Sequence, residues 1–255
     1  MNKIVFFGGF GKFSKMYLEA LRSAGFEISL AVEDKKLDFL SIEKDMLKNK
    51  PDLGVIAYFG RIIPQRILQI PKMGFVNAHP SLLPRWRGPS PVQNTILAGD
   101  QKTGVTIHLT SQEVDAGDIL TQKEILVFQD DTCFTLTERL AKEGSSILPQ
   151  VVEEWIKGLI KPQSQNHSLA TYTKLIKKED GLIDWSKPAE QIERLVRAYD
   201  PWPGTYTKMV GEKILKIKKV KIENGELKIL VVQPEGKKNM PYEAFLRGHK
   251  DFKPF

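Results

Sequence analysis

The sequence predicts an α/β protein: a doubly wound, parallel-rich sheet followed by a small, mostly β, basic domain. Three observations lead there. Lys3–Phe7, a short apolar run, enters Gly8-Gly9-Phe10-Gly11 and then an amphipathic stretch, which is a strand, glycine turn and helix in succession. Apolar runs and helical periods then alternate as far as Gly158. Beyond Trp185 the pattern changes to short strands, two of them joined at Asn224-Gly225, a strong hairpin signal.

Taken in order, the first helix runs over Phe13–Ala24 and closes at Gly25. Ile28–Val32 reads as the second strand, and Leu37–Asn49 as a helix stopped by Pro51. Leu53–Tyr58 is a buried strand, followed by the loop Phe59-Gly60-Arg61-Ile62-Ile63-Pro64 and a short helix to Leu68. Gly74-Phe75-Val76 ends another buried strand, Pro91–Leu97 reads as a helix ended by Gly99, and Val105–Leu109 and Ile119–Phe128 as strands. Asp131 or Thr132 caps a long helix to about Gly158. Lys161–Thr173 is polar and shows no clear period, so a linker is read running through to Lys178. Ala189–Ala198 reads as a helix, Asp200-Pro201-Trp202-Pro203-Gly204 as a rigid turn, and Thr205–Lys208, Lys213–Ile222 and Glu226–Val232 as strands. Trp185 and Trp202 are expected as core anchors at the domain junction.

The chemistry concentrates in Asn77–Asp118. Asn77 and His79 lie two residues apart at the end of a strand, a spacing that points both side chains to one side. Pro80, Pro84, Gly88 and Pro89 force a shaped loop, and Val114-Asp115-Ala116-Gly117-Asp118 is a turn with two carboxylates. An amide, an imidazole and a carboxylate can polarise a carbonyl, move a proton and orient the imidazole. Asp118 reads as a turn-former. His79 and His108 beside the two carboxylates match no standard metal-ligand spacing. The opening glycines do not form G-x-G-x-x-G, so they read as a tight turn bordering a substrate cleft rather than a dinucleotide site.

With 255 residues and 41% apolar content, the chain can bury a sizeable core. No apolar run approaches the roughly 20 residues of a membrane span, and the strand-like N-terminus does not read as a signal peptide. The single cysteine, Cys133, excludes an internal disulfide, suggests a cytoplasmic setting and reads as a small core residue. Charge is uneven. Residues 171–255 hold 18 Lys and Arg against 12 Asp and Glu, a net +6 of the chain's +7. This suggests a polyanionic partner, nucleic acid first and an anionic membrane second, although a solvated surface fits the charge equally well.

The stretches Ala57–Pro64, Asn77–Asp100, Gly104–Leu120, Tyr172–Trp185, Ala198–Thr205 and Gln233–His249 resemble the formyltransferases that use 10-formyltetrahydrofolate. NAHPSLLPRWRG with DAGD carries the superfamily resemblance; KEDGLIDW and DPWPG resemble the branch whose acceptor is charged initiator tRNA. The resemblance implies a Rossmann-like catalytic domain over residues 1–160, a linker over 161–183 and a reduced OB-like barrel over 184–255. It implies that Asn77 donates to the developing oxyanion, that His79 donates to it or relays the proton, and that Asp115 orients His79. It implies a pterin pocket of Arg61, Ile62, Ile63, Ser81, Leu82, Leu83, Pro84 and Val114. Gly8, Gly9, Phe10, Arg85, Arg87, Lys216, Lys218, Lys219 and Lys221 are expected to face the acceptor, Arg85 and Arg87 reading otherwise as solvated loop charges. The implied co-substrate is 10-formyltetrahydrofolate, with no metal, and the implied enzyme is a cytoplasmic monomer. Two rivals are an amino sugar on a nucleotide as acceptor, and a catalytically silent RNA-binding protein. The chain departs from the family in a short connection after Val32, where only Lys35 and Lys36 remain of a basic loop, and in a shortened C-terminal barrel. The expected consequence is weaker discrimination between initiator and elongator tRNA.

Overall fold

The structure, a computed structural model, describes residues 2–9, 11–33, 37–209, 213–250 and 252. Phe10, Lys35 and Lys36 lie outside them. The chain forms two compact units: Met1–Pro91 with Lys102–Leu126 and Thr137–Thr173, and Val92–Gln101 with Val127–Leu136 and Lys174–Phe255.

The first unit holds a six-stranded sheet: β1 (Lys3–Gly8), β2 (Glu27–Glu33), β3 (Leu53–Ala57), β4 (Phe75–His79), β5 (Lys102–Leu109) and β6 (Ile119–Leu126). Their spatial order is β2-β1-β3-β4-β5-β6, with the first four parallel and the last two antiparallel. Crossing from β2 over β1 to β3 makes the strand-order switch at which α/β sheets bind ligands beyond their carboxyl ends. Helices α1 (Lys12–Ser23), α2 (Phe39–Asn49) and α3 (Gln65–Leu68) belong to this unit; α4 (Pro91–Ala98) falls in the second apart from Pro91, and α5 (Cys133–Ile156) belongs to the first from Thr137 onwards. Local chemistry sets their ends. Gly25 turns left-handed (φ 85°) after α1, and Phe26 N–H returns to the Leu21 carbonyl, closing the helix. Asp38 caps α2 by accepting from Leu40 N–H at 3.1 Å, and Thr132 caps α5 by accepting from Thr135 N–H at 3.3 Å. Cys133, expected in the core, is half-buried as the first residue of α5. Val5, Phe7, Val32, Met46, Ile63, Ile67 and Phe75 form an apolar cluster in this unit. A Cβ on Gly9 would lie 2.0 Å from the Tyr58 carbonyl oxygen, so the backbones after β1 and β3 touch in a way only glycine permits.

The second unit is built on β7 (Thr205–Lys208), β8 (Ile214–Glu223), β9 (Glu226–Pro234) and β10 (Met240–Pro241), antiparallel in the order β10-β9-β8-β7, with α6 (Ala189–Ala198) and α7 (Tyr242–Gly248). Ile192 and Val196, one turn apart on α6, join Leu215, Ile217, Val220, Val232 and Phe245 in its core. The register shift at Ile217/Lys219 makes Lys218 an extra residue in β8, and the shift at Lys219/Val220 leaves Leu230 extra in β9. The bulge resets the side-chain phase, so Ile217 and Val220 are both buried although three residues apart. Strict alternation of lysines along one face therefore does not hold. Lys216, Lys219 and Lys221 are exposed, whereas Lys218 is half-buried with its ammonium 3.4 Å from Asp200. Trp185 packs on the core and donates to Thr207 Oγ1 at 3.0 Å. Trp202, expected as a second anchor, is instead 55% exposed. No helix among the described residues is long and apolar enough to cross a membrane.

Candidate active site

The site forms where β4 meets β5. Their antiparallel register sets Asn77 directly opposite His108, and the turn before β6 brings Asp115 to both. Asn77 Nδ2 donates to Asp115 Oδ1 at 3.2 Å and lies 3.3 Å from His108 Nε2. His108 Nδ1 lies 2.8 Å from the Leu109 carbonyl oxygen. That oxygen can only accept, so the proton of a neutral His108 sits on Nδ1 and Nε2 is free to accept from Asn77. Both amide hydrogens of Asn77 are thereby aimed.

His79, the last residue of β4, is buried between two acceptors. Its Nε2 lies 2.9 Å from the Trp86 carbonyl oxygen and its Nδ1 3.4 Å from Asp115 Oδ2. A neutral ring can donate to one of them; an imidazolium donates to both. Burial draws the His79 pKa below its ordinary 6.5, against the Asp115 carboxylate and the Trp86 carbonyl, which raise it, and with His108, which lowers it further. At neutral pH the ring is therefore poised to gain a proton, with two acceptors waiting to stabilise it.

Asp115 is the hub. Its Oδ2 accepts from Gly88 N–H at 2.8 Å and its Oδ1 from Asn77, with His108 Nε2 at 3.6 Å. Burial alone would raise its pKa, but His79, His108 and the Gly88 N–H outweigh it and hold the group at about 2. This gives stability a pH dependence with a definite sign. The depressed Asp115 pKa stabilises the fold above its ordinary 3.8, and that contribution is lost as pH falls towards 2. The depressed His79 pKa makes unfolding take up a proton below 6.5, so stability also falls as pH drops through that value. The Asp115 step amounts to on the order of 2 kcal/mol. Urea midpoints from pH 8 to 2 should decline in both windows, and Asp115→Asn should shallow the lower one, to which the exposed Glu223 and Asp184 also contribute.

The turn that presents Asp115 is sterically demanding. Asp115 is left-handed (φ 52°), and a Cβ on Gly117 would lie 1.8 Å from the Leu109 carbonyl oxygen. Gly117→Ala should cost about 1–3 kcal/mol, or roughly 2–4 °C in Tm for each kcal/mol, as read by a thermal melt.

The remaining expected residues divide. In the loop after β3, Arg61 is exposed, Ile62 is 87% exposed, and Ile63 is buried in the apolar cluster. Val114 is exposed, and Leu82 and Pro84 are half-buried. Ser81 and Leu83 are buried: the Ser81 hydroxyl donates to the Arg85 carbonyl at 2.6 Å, and Leu83 N–H donates to Thr106 Oγ1. These contacts shape the loop. Gly8 is buried within β1 and Gly9 is half-buried at the turn. Arg85 is exposed with its guanidinium 4.1 Å from the Trp86 ring centroid. Arg87 is the clearest correction: it is 0% exposed, not a loop charge facing solvent or substrate. Its Nε and Nη2 donate to Gln165 Oε1 at 3.2 and 2.7 Å, and its backbone pairs with Thr171 and Thr173. The supposed linker is thus hydrogen-bonded into the first unit as far as Thr173. Sequence reasoning missed His108 as a partner of Asn77, and missed Gln165 altogether. Only the β4–β5 pairing could have revealed the first; Gln165 carries no local signal. Among the described residues, no group of three or more His, Cys, Asp or Glu side chains is arranged to hold a metal ion.

A doubly wound sheet on which an amide and two imidazoles of adjacent strands meet a carboxylate from a following turn is the arrangement of an acyl-transfer type of site. Residues 29–152 match the model of the formyl transferase family, and residues 175–228 match that of the formyl transferase C-terminal domain. The chain is 40% identical to the methionyl-tRNA formyltransferase of Roseiflexus sp. (strain RS-1), over 78% of this chain and 68% of that protein. It is also 40% identical to that of Bacillus licheniformis, over 80% and 72% respectively. The chain belongs to the formyl transferase family. Among solved structures, a HypX variant from Aquifex aeolicus superposes with a TM-score of 0.77 at 20% identity, covering 100% of this chain and 49% of that one. Methionyl-tRNA formyltransferase from Clostridium thermocellum gives 0.71 at 20%, covering 92% and 99%. These likenesses speak to the fold.

Proposed function

We propose that this chain transfers the formyl group of 10-formyltetrahydrofolate to the amino group of methionyl-tRNA. The observation that carries it is the convergence of Asn77, His79 and Asp115 in a chain 40% identical to enzymes of that name. The amine nitrogen attacks the formyl carbon; a C–N bond forms and the carbonyl oxygen becomes an oxyanion. Collapse breaks the bond from that carbon to the folate nitrogen, which receives the proton the amine loses. An oxyanion is a stronger acceptor than the neutral His108 nitrogen, so it can draw one Asn77 N–H away from a 3.3 Å contact that is long for a hydrogen bond. His79 takes up the proton in transit, with the Asp115 carboxylate beside Nδ1 stabilising the imidazolium. The exposed Ile62 and Val114 supply apolar surface suited to a flat pterin.

In this reading residues 1–160 do the chemistry and the basic residues 184–255 hold tRNA. Lys216 and Lys219 are the best placed to meet phosphates, being exposed and without an ion pair among the described residues. Lys221 shares Glu223 with Lys228, and Lys218 faces Asp200. The test of acceptor class is competition: labelled formyl donor offered to the chain with methionyl-tRNA and a nucleotide-linked amino sugar together. Label should enter the tRNA; label in the sugar would overturn the assignment.

A further inference from the structure

The segment expected to be a linker holds a side chain that reaches the back of the site. Gln165 is 5% exposed, and its Nε2 donates to the carbonyl oxygens of Asp115 at 2.9 Å and Gly117 at 2.7 Å. Its Oε1 accepts twice from the fully buried Arg87. The amide orientation is chemically forced. Flipped, its oxygen would face two carbonyls and its NH2 a guanidinium, four mismatches in a buried place. The circuit closes on itself, because the residue after Arg87 is Gly88, whose N–H donates to the Asp115 carboxylate. Arg87 thus governs Asp115 twice, through Gln165 at the backbone and through Gly88 at the side chain. This matters because Asp115 is left-handed, a conformation that a non-glycine residue keeps only when its surroundings hold it.

We propose that Gln165, backed by Arg87, is a positioning residue that locks the Asp115 turn and so places the carboxylate between Asn77 and His79. The role as stated for catalysis rests on the formyl-transfer reading; the geometry it predicts does not. Gln165→Ala removes both halves of the link. Gln165→Glu keeps an acceptor for Arg87 but cannot donate to Asp115 and Gly117, so it isolates the half that matters.

The experiment pairs steady-state kinetics with an NMR titration of the His79 ring. In both variants kcat should fall about 10- to 100-fold, as expected for misplacement on the ångström scale, with the donor KM changed less than kcat, because of the residues proposed to touch the pterin only Val114 adjoins the clamped turn. In an Asp115→Asn background, Gln165→Ala should cost almost nothing further, since Gln165 acts through that carboxylate. The His79 titration in folded Gln165→Ala should move to lower pH, in the same sense as in Asp115→Asn. A merely structural glutamine would add its penalty in both backgrounds and leave the His79 titration where it was; either result overturns the proposal. If Gln165→Ala does not fold, Gln165→Glu decides, and wild-type kcat there would refute it. If wild-type protein transfers no formyl group at all, the functional reading fails and the His79 titration alone still tests the clamp.

Discussion

Replacing Asn77, His79 or Asp115 with alanine should lower the kcat of formyl transfer by about 10²–10³ in each case, the range for loss of one preorganised oxyanion donor. Binding of the folate donor should be largely retained. The geometry explains both halves. Asp115 links the other two, accepting from Asn77 and facing His79, and in the proposed reading none of the three is among the residues that hold the pterin. They stabilise charge that exists only in the transition state, so removing them changes turnover more than affinity. Asp115→Ala also leaves two imidazoles and the Gly88 N–H facing an empty space, so Asp115→Asn is the gentler control for folding. Because the residues work as a unit, Asn77→Ala/His79→Ala should lose much less than the product of the single losses. Near wild-type turnover in any single variant would remove that residue from the mechanism.

The second large effect concerns the acceptor. Changing Lys216 and Lys219 together to alanine should weaken tRNA binding for charged and uncharged tRNA alike. It should also reduce the slope of log affinity against log salt by about 2, roughly one for each phosphate that is no longer neutralised. Filter binding across a salt series reads this directly. Lys218→Ala should do less, because its ammonium already faces Asp200 and the bulge removes it from the exposed row. An unchanged slope in the double variant would return these lysines to the role of a solvated surface.

Elements governed by short-range rules were legible in the sequence: the strand, glycine turn and helix at the N-terminus, the left-handed Gly25 after α1, and the Asn224-Gly225 hairpin between β8 and β9. Asn77, His79 and Asp115 stood out because their chemistry is distinctive and two of them lie on one strand. What escaped depends on pairing between distant segments. His108 faces Asn77 only through the antiparallel β4–β5 register, which no local period encodes. Gln165 bonds to backbone carbonyls 48 and 50 residues away, and any segment offers such carbonyls. Arg87 reads as a solvated charge in a proline-rich loop until Gln165, Tyr172 and His167 are seen around its guanidinium. The bulge at Lys218 turned an apparently regular Lys–apolar alternation into two rows out of phase.

The measurement closest to the central claim is formylation itself. Wild-type protein, Asn77→Ala and Asp115→Asn would each be incubated with 10-formyltetrahydrofolate and methionyl-tRNA, and the amino acid recovered from the tRNA identified by mass. The account predicts formylmethionine from the wild type within minutes and only a trace from either variant over the same time. Unmodified methionine from the wild type, or formylmethionine in equal yield from all three, would contradict it.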